Sequence, residues 1–168
     1  MIDYPNSNLF KKLSNIIDDY IQKQDRVFIT ITGKSGAGKS TLGKYIRKNG
    51  ISDIKPSQIA VIDDSVMTID YFGGLIRRKY KNKIDKKDNL KPFLKKIGDK
   101  KRLIFYINVT PSNRITQTDI MVWLDIDKQS QKERLTKRIK DKTKVEKAMD
   151  IEPNIDNISY KEFIRGSL

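Results

Sequence analysis

Neither cysteine nor histidine occurs among the 168 residues. Without cysteine there is no disulfide, no thiolate chemistry and no cysteine-ligated zinc. Without histidine there is no imidazole base, no Ser-His pair and no histidine-held metal, so acid–base work falls to Asp, Glu, Lys or Tyr. No stretch approaches the roughly 18 apolar residues of a membrane span. The start Met1-Ile2-Asp3-Tyr4-Pro5-Asn6 lacks the charged and apolar regions of a signal peptide, so a soluble cytoplasmic protein is expected, with no membrane partner. Acid is also scarce: 21 Asp and Glu face 35 Lys and Arg, a net charge of +14. The surplus is local. Residues 77–102 carry 13 basic against 3 acidic residues, and residues 128–147 carry 9 against 3. Two cationic flaps over an anionic substrate fit this distribution, as do lysines that simply face water. Nucleic acid is a possible partner on this ground without being the favoured one. No feature specifies an oligomeric state.

What is present is organised around Gly33-Lys34-Ser35-Gly36-Ala37-Gly38-Lys39-Ser40, followed by Thr41. This run matches G-x-x-x-x-G-K-[ST] in full. The β-branched and aromatic run 27–32 before it predicts a buried strand, and 39–48 after it predicts a helix stopped at Asn49-Gly50. Glycines let backbone N–H groups turn toward phosphate oxygens, and the helix N-terminus adds partial positive charge. Lys39 is expected to reach the outer phosphates and the Ser40 hydroxyl to ligate magnesium. Gly33 to Thr41 is therefore read as the binding loop for a nucleoside triphosphate, ATP with Mg2+.

The remaining chain reads as one α/β domain. An amphipathic helix over 8–24 carries Leu9, Leu13, Ile16, Ile17, Tyr20 and Ile21 on one face. The strand at 58–65 ends in Asp63-Asp64, at the sheet edge where ligands of parallel sheets bind. A carboxylate there takes a proton from an attacking hydroxyl or holds a magnesium-bound water, and strand alternation turns only one of the pair inward. Residues 66–102 read as a small helical insertion beside the acceptor site, with Tyr71-Phe72-Gly73-Gly74 as a hinge, a substrate contact or a surface turn. An apolar strand follows at 103–109 and ends near Asn108, with Arg114 just beyond it. Another, at 120–127, leads into the basic segment 128–147, a lid. On its helix Arg134 and Arg138 are four apart and share a face, as a pair bridging the phosphates of donor and acceptor requires. The tail piece 158–164 is equally compatible with a strand or a helix. The expected fold is a P-loop three-layer α/β/α arrangement with a parallel sheet of four or five strands and helices on both faces, plus the insertion and the lid.

Three blocks, Thr32 to Thr41, Val61 to Ser65, and Asp119 to Asp125 with Arg134-Leu135 and Arg138-Ile139-Lys140-Asp141, resemble the small phosphate-loop kinases of nucleosides, nucleotides and related metabolites. The third block is most similar to the uridine kinase family, where an Arg-Leu-x-x-Arg-Ile-x-Asp run forms part of the lid. The resemblance implies a kinase with Asp64 as general base, Ser40 as magnesium ligand, Lys39 as phosphate clamp, and Arg134 and Arg138 as lid arginines. It implies ATP and a small hydroxyl-bearing acceptor as partners. The loop and Ile107 to Arg114 are also similar to adenylylsulfate kinases. Two departures stand out. Uridine kinases carry Glu-Gly after the third strand, where this chain has Asn108-Val109, and their acceptor-binding region is replaced by the lysine-rich 66–102. A neutral Asn108 argues against an ATPase or GTPase. The alternatives are a kinase of polynucleotide hydroxyls and a non-catalytic nucleotide-binding regulator.

Overall fold

The fold is described from a computed structural model, covering residues 3–63, 68–71, 74–77, 90 and 97–168. Its centre is β1 (Val27–Gly33), all but one of whose residues are buried. Strand β1 lies between two parallel neighbours, β5 (Leu103–Ile107) and β6 (Ile120–Leu124). Outside β5 comes β2 (Ile59–Asp63), and outside β6 comes β7 (Glu162–Gly166), both also parallel. Five parallel strands thus run in the order β2-β5-β1-β6-β7, the larger of the two expected numbers. Burial on both faces of the sheet explains why β1, β5 and β6 are nearly continuous apolar runs.

Helix α1 (Asn8–Ile21) starts on a Ser7 cap, whose Oγ accepts the Phe10 N–H at 3.3 Å. It buries Leu9, Phe10, Leu13 and Ile17. The i, i+4, i+8 spacing of Leu9, Leu13 and Ile17 puts them on one stripe, each side chain worth about 1.5–3 kcal/mol when removed from water. Helix α2 (Lys39–Asn49) ends at Gly50. It packs on the same face as α1, over Val27, Ile29, Ile31, Val61, Phe105 and Ile107. Gly43 permits this approach, since a Cβ there would run into the Ile107 side chain and lie 3.1 Å from Val61 Cγ1.

The opposite face is packed differently. Ala60, Ile62, Ile104, Tyr106 and Met121 meet Leu90, Ile97, Ile115 and Ile158. Ile115 and Ile158 belong to irregular chain, not to helix. The backbone of that chain is tied down through Thr118 N–H to Ser159 O at 2.9 Å and Ser159 N–H to Thr116 O at 2.9 Å.

Two expectations change. Within the stretch read as a helical insertion, residues 68–77 supply strands β3 (Thr68–Tyr71) and β4 (Gly74–Arg77), which extend the sheet antiparallel from β2. The physical reason is an open sheet edge at β2 beside the β-branched and aromatic run Thr68-Ile69-Asp70-Tyr71. The proposed hinge residues Phe72 and Gly73, like Asp64, lie outside the described residues. The segment read as a lid forms two helices, α3 (Lys128–Arg138) and α4 (Lys142–Asp150). Asp141 breaks the run by capping α4, accepting the Thr143 N–H at 3.0 Å and the Lys144 N–H at 3.3 Å. The undecided tail is β7, a strand at the sheet edge. Among the described residues, no helix is long and apolar enough to cross a membrane.

The tight α2–sheet contact is testable by urea denaturation. Gly43→Val is expected to lower the unfolding free energy by about 2–3 kcal/mol through overpacking. Lys44→Ala, one position along on the exposed side, is expected to change it by about 0.5 kcal/mol or less.

Candidate functional site

The loop Gly33–Ser40 joins the carboxyl end of β1 to the first turn of α2. At Gly33, φ is +133° and a Cβ would collide with the Leu124 carbonyl of β6. Only glycine lets the chain leave the sheet here so close to its neighbour. Inside the loop, the Ala37 N–H donates to Lys34 O at 3.2 Å, and α2 begins with Leu42 N–H on Gly38 O at 2.9 Å.

Lys39 is 8% exposed, and its ammonium points back into the loop. It donates to Gly33 O at 2.7 Å and to Lys34 O at 2.8 Å. Burial lowers its pKa from the ordinary 10.5 to about 8, with the Asp63 carboxylate opposing this and the Arg138 charge adding to it. Asp63 ends β2 and is 6% exposed. Ser40, next to Lys39 at the helix start, is half-buried. Thr41 is exposed beside it.

Helix α3 approaches the loop from the other side. Its Arg134 Nη1 donates to Gly36 O at 3.2 Å, and Leu135 is fully buried. A Cβ on Gly36 would lie 3.6 Å from Gln131 O and 3.7 Å from Gln131 Cγ, so the turn before Arg134 also rests on the loop. Lys34 Nζ meets Glu152 Oε1 at 2.7 Å. Beyond Glu152, Asn154 N–H donates to Val109 O at 3.3 Å, and Ser112 Oγ donates to Asn154 Oδ1 at 2.6 Å. The chain leaving α4 therefore ties the loop to the turn after β5.

The sequence-derived candidates divide into groups. Lys39 belongs to the loop Gly33, Lys34, Ser35, Gly36, Ala37, Gly38, Ser40, Thr41, Arg134 hydrogen-bonds it, and Asp63 and Arg138 influence the Lys39 charge. Asp64 lies outside the described residues. Asn108 builds a turn, its Oδ1 accepting the Thr110 N–H at 3.0 Å and its Nδ2 donating to Tyr106 Oη at 2.7 Å. The carboxylates after β6 are structural. Asp125 receives Arg165 Nε at 2.8 and 3.0 Å, and Asp127 caps α3 by accepting the Ser130 N–H at 2.8 Å. That hydrogen bond holds the Asp127 carboxyl below its ordinary pKa. Gln131 and Glu152 were not singled out in the sequence. Gln131 is marked only by its i, i+3 spacing to Arg134, and Glu152 carries no local signal at all, because its partner is 118 residues away.

The donor set suits a nucleoside triphosphate with magnesium. The loop carries a buried cation at Lys39, and Ser40 and Asp63 are the oxygen-bearing side chains that could hold a hard cation there.

The Lys39 environment has a measurable consequence. In the unfolded chain the ammonium keeps its proton to about 10.5, whereas in the folded protein it loses it near 8. Between these values the unfolded state binds more protons, so the Lys39 contribution to stability is fully present above 10.5 and is lost as pH falls through 8. The difference in unfolding free energy between wild type and Lys39→Met is expected to rise by up to about 3 kcal/mol as pH goes from 8 to 10.5. Urea denaturation across that range measures it; a flat or falling difference contradicts the buried cation.

A protein-family model described as an AAA domain matches residues 29–156, about three quarters of the chain. No curated protein and no solved structure matches the chain. The matched span opens in β1, takes in the whole phosphate loop and runs past both α3 and α4. The chain belongs to this AAA-domain family and is a P-loop nucleotide-binding domain of α/β fold.

Proposed function

We propose that the protein is an ATP-dependent kinase that transfers the γ-phosphoryl group to a hydroxyl of a small acceptor, a nucleoside such as uridine or a related metabolite. The observation that carries this reading is the approach of three kinds of group to one loop. The buried Lys39 cation lies within electrostatic reach of Asp63 at the end of β2 and of Arg138 on α3, and Arg134 hydrogen-bonds the loop itself. Transfer of a phosphoryl group asks for positioning and charge neutralisation, with little covalent chemistry from the protein.

In this reading Lys39 leaves the Gly33 and Lys34 carbonyls to hold the outer phosphates. Ser40 and Asp63 are the side chains that would hold magnesium, which supplies neutralisation of the β- and γ-phosphate charge when bound. Arg138 and Arg134 meet charge that develops on the transferred group. The acceptor oxygen attacks the γ-phosphorus, the bond to the ADP oxygen breaks, and the acceptor proton goes to a carboxylate. Asp64 has that role by likeness to the uridine kinases. The side chain of Asn108 is committed to Thr110 and Tyr106, and it carries no charge to direct a hydrolytic water. This favours transfer over hydrolysis. The acceptor region is assigned to 66–102 on its sequence position alone.

A labelled-ATP screen over nucleosides, nucleotides, adenylylsulfate, sugars and oligonucleotides tests the assignment, and label on a small hydroxyl compound is the expected result. Hydrolysis without transfer to any acceptor would overturn it. Lys39→Ala is expected to lower transfer by on the order of 10²–10³-fold with the fold intact by circular dichroism. Asp64→Asn is expected to lower kcat by on the order of 10²–10⁴-fold while ATP affinity holds. Equal losses in both quantities would remove Asp64 from the role of base.

A further inference from the structure

On the side of β6 the sheet ends at β7, with no strand beyond it among the described residues. The backbone of β7 divides by alternation. Glu162 N–H donates to Asp119 O, and Gly166 O accepts the Asp125 N–H, so residues 162, 164 and 166 turn their backbone groups toward β6. Phe163 and Arg165, between them, point N–H and C=O groups outward at the open edge. Such an edge is a template for another strand, and proteins commonly guard it with charged side chains.

Here the guard is folded back. Arg165 Nε lies 2.8 Å from Asp125 Oδ2, and its Cζ stands 5.5 Å from the centre of the Trp123 ring on β6. Lys161 Nζ is held by Asp119 Oδ1 at 2.7 Å, just before β6. Both cations therefore lean toward their own sheet. On one face of β7, Ile164 is buried in the core that α1 covers. On the other, Phe163 is 39% exposed and Tyr160 42%, with ring centroids 5.7 Å apart. One exposed aromatic side chain is ordinary. Two in contact beside an unguarded strand edge form an apolar patch of the kind that marks an interaction surface.

We propose that two copies of this chain join through β7, antiparallel about a two-fold axis at Ile164, into one continuous sheet. Charge selects the second copy and the register. An axis at Phe163 sets Arg165 opposite Lys161, and an axis at Arg165 sets two guanidiniums together, so both oppose like charges. With the axis at Ile164, Phe163 of each copy lies opposite Arg165 of the other. These are the residues with outward backbone groups, so each such pair exchanges both of its N–H···O bonds. The Arg165 guanidinium, already beside Trp123, gains a second ring across the new strand pair. Tyr160 extends the aromatic layer on the same face through its contact with Phe163. The two-fold axis closes the pairing on itself, which makes a dimer and not a filament. Nothing in this pairing depends on the reaction proposed above.

Sedimentation velocity of the full chain over about 5 to 500 μM tests this, the range suited to a small interface. Wild type is expected to pass from monomer to dimer. Amide hydrogen exchange at Phe163 and Arg165 is expected to slow by about tenfold or more in the dimer, as their outward N–H groups acquire acceptors. Phe163→Lys sets a cation opposite Arg165 and is expected to weaken association by about tenfold or more. Phe163→Glu sets an anion there and is expected to hold the dissociation constant within about threefold of wild type at low salt. Both changes are at an exposed side chain, so the thermal midpoint of the monomer is expected to move by about 2 °C or less. Equal loss of association in both variants would mean a merely apolar contact and would overturn the register. A monomer at every concentration, a dimer indifferent to Phe163→Lys, or unslowed exchange at Phe163 and Arg165 in the dimer would overturn the β7 interface.

Discussion

The contact on which the site depends is the Lys39 ammonium held against the Gly33 and Lys34 carbonyls, at 2.7 and 2.8 Å. A cation at 8% exposure is tolerated only with partners, and here they are backbone oxygens of the loop it belongs to, with the Asp63 charge nearby. The same contact fixes the loop between a central strand and a helix. It therefore sets where α2 starts and which way its first-turn N–H groups face. The burial that makes Lys39 give up its proton near pH 8 also keeps water from screening it, which strengthens its attraction for phosphate.

Around that loop the molecule is asymmetric. One sheet face is closed by α1 and α2 with a continuous aliphatic core, and Gly43 brings α2 close. On the other, irregular chain bearing Ile115 and Ile158 packs against Ala60, Tyr106 and Met121. Strands of an open parallel sheet leave their carboxyl ends free for ligands. Three elements reach that edge: the phosphate loop after β1, Asp63 at the end of β2, and α3 from the segment after β6. The Lys34–Glu152 ion pair and the Asn154 bonds to Val109 and Ser112 join the chain leaving α4 to the same edge. Each of these surface links is weak alone. Together they span the loop, the chain after α4 and the turn after β5.

Fold and loop were legible in the sequence because their signals are local. A β-branched run before a glycine loop and a helix with a glycine stop need only neighbouring residues to be recognised. The α1 stripe of Leu9, Leu13 and Ile17, the limits of α2, and the apolar strands at 103 and 120 are of this kind. The pairing of Thr68–Tyr71 with β2 was missed because a strand is defined by a partner, and the open edge of β2 exists only in the folded sheet. The tail at 162–166 was undecided for the same reason, since five residues become an edge strand only when β6 offers them backbone groups.

For the site, the sequence by itself determined the loop and therefore the class of ligand, since phosphate binding is encoded in backbone conformations that glycines at set spacings permit. It also determined that Arg134 and Arg138 share a helix face. Only the tertiary structure decided that Asp63 is buried and acts on the Lys39 charge, that Asp125 pairs with Arg165 and Asp127 caps α3, and that Asn108 bonds Thr110 and Tyr106. Only it revealed Glu152 on Lys34, and Gln131 against the loop. Electrostatic coupling, and the loss of a hydrogen-bond partner on burial, depend on distances through space between residues far apart in the chain. No local pattern of residue types carries those distances.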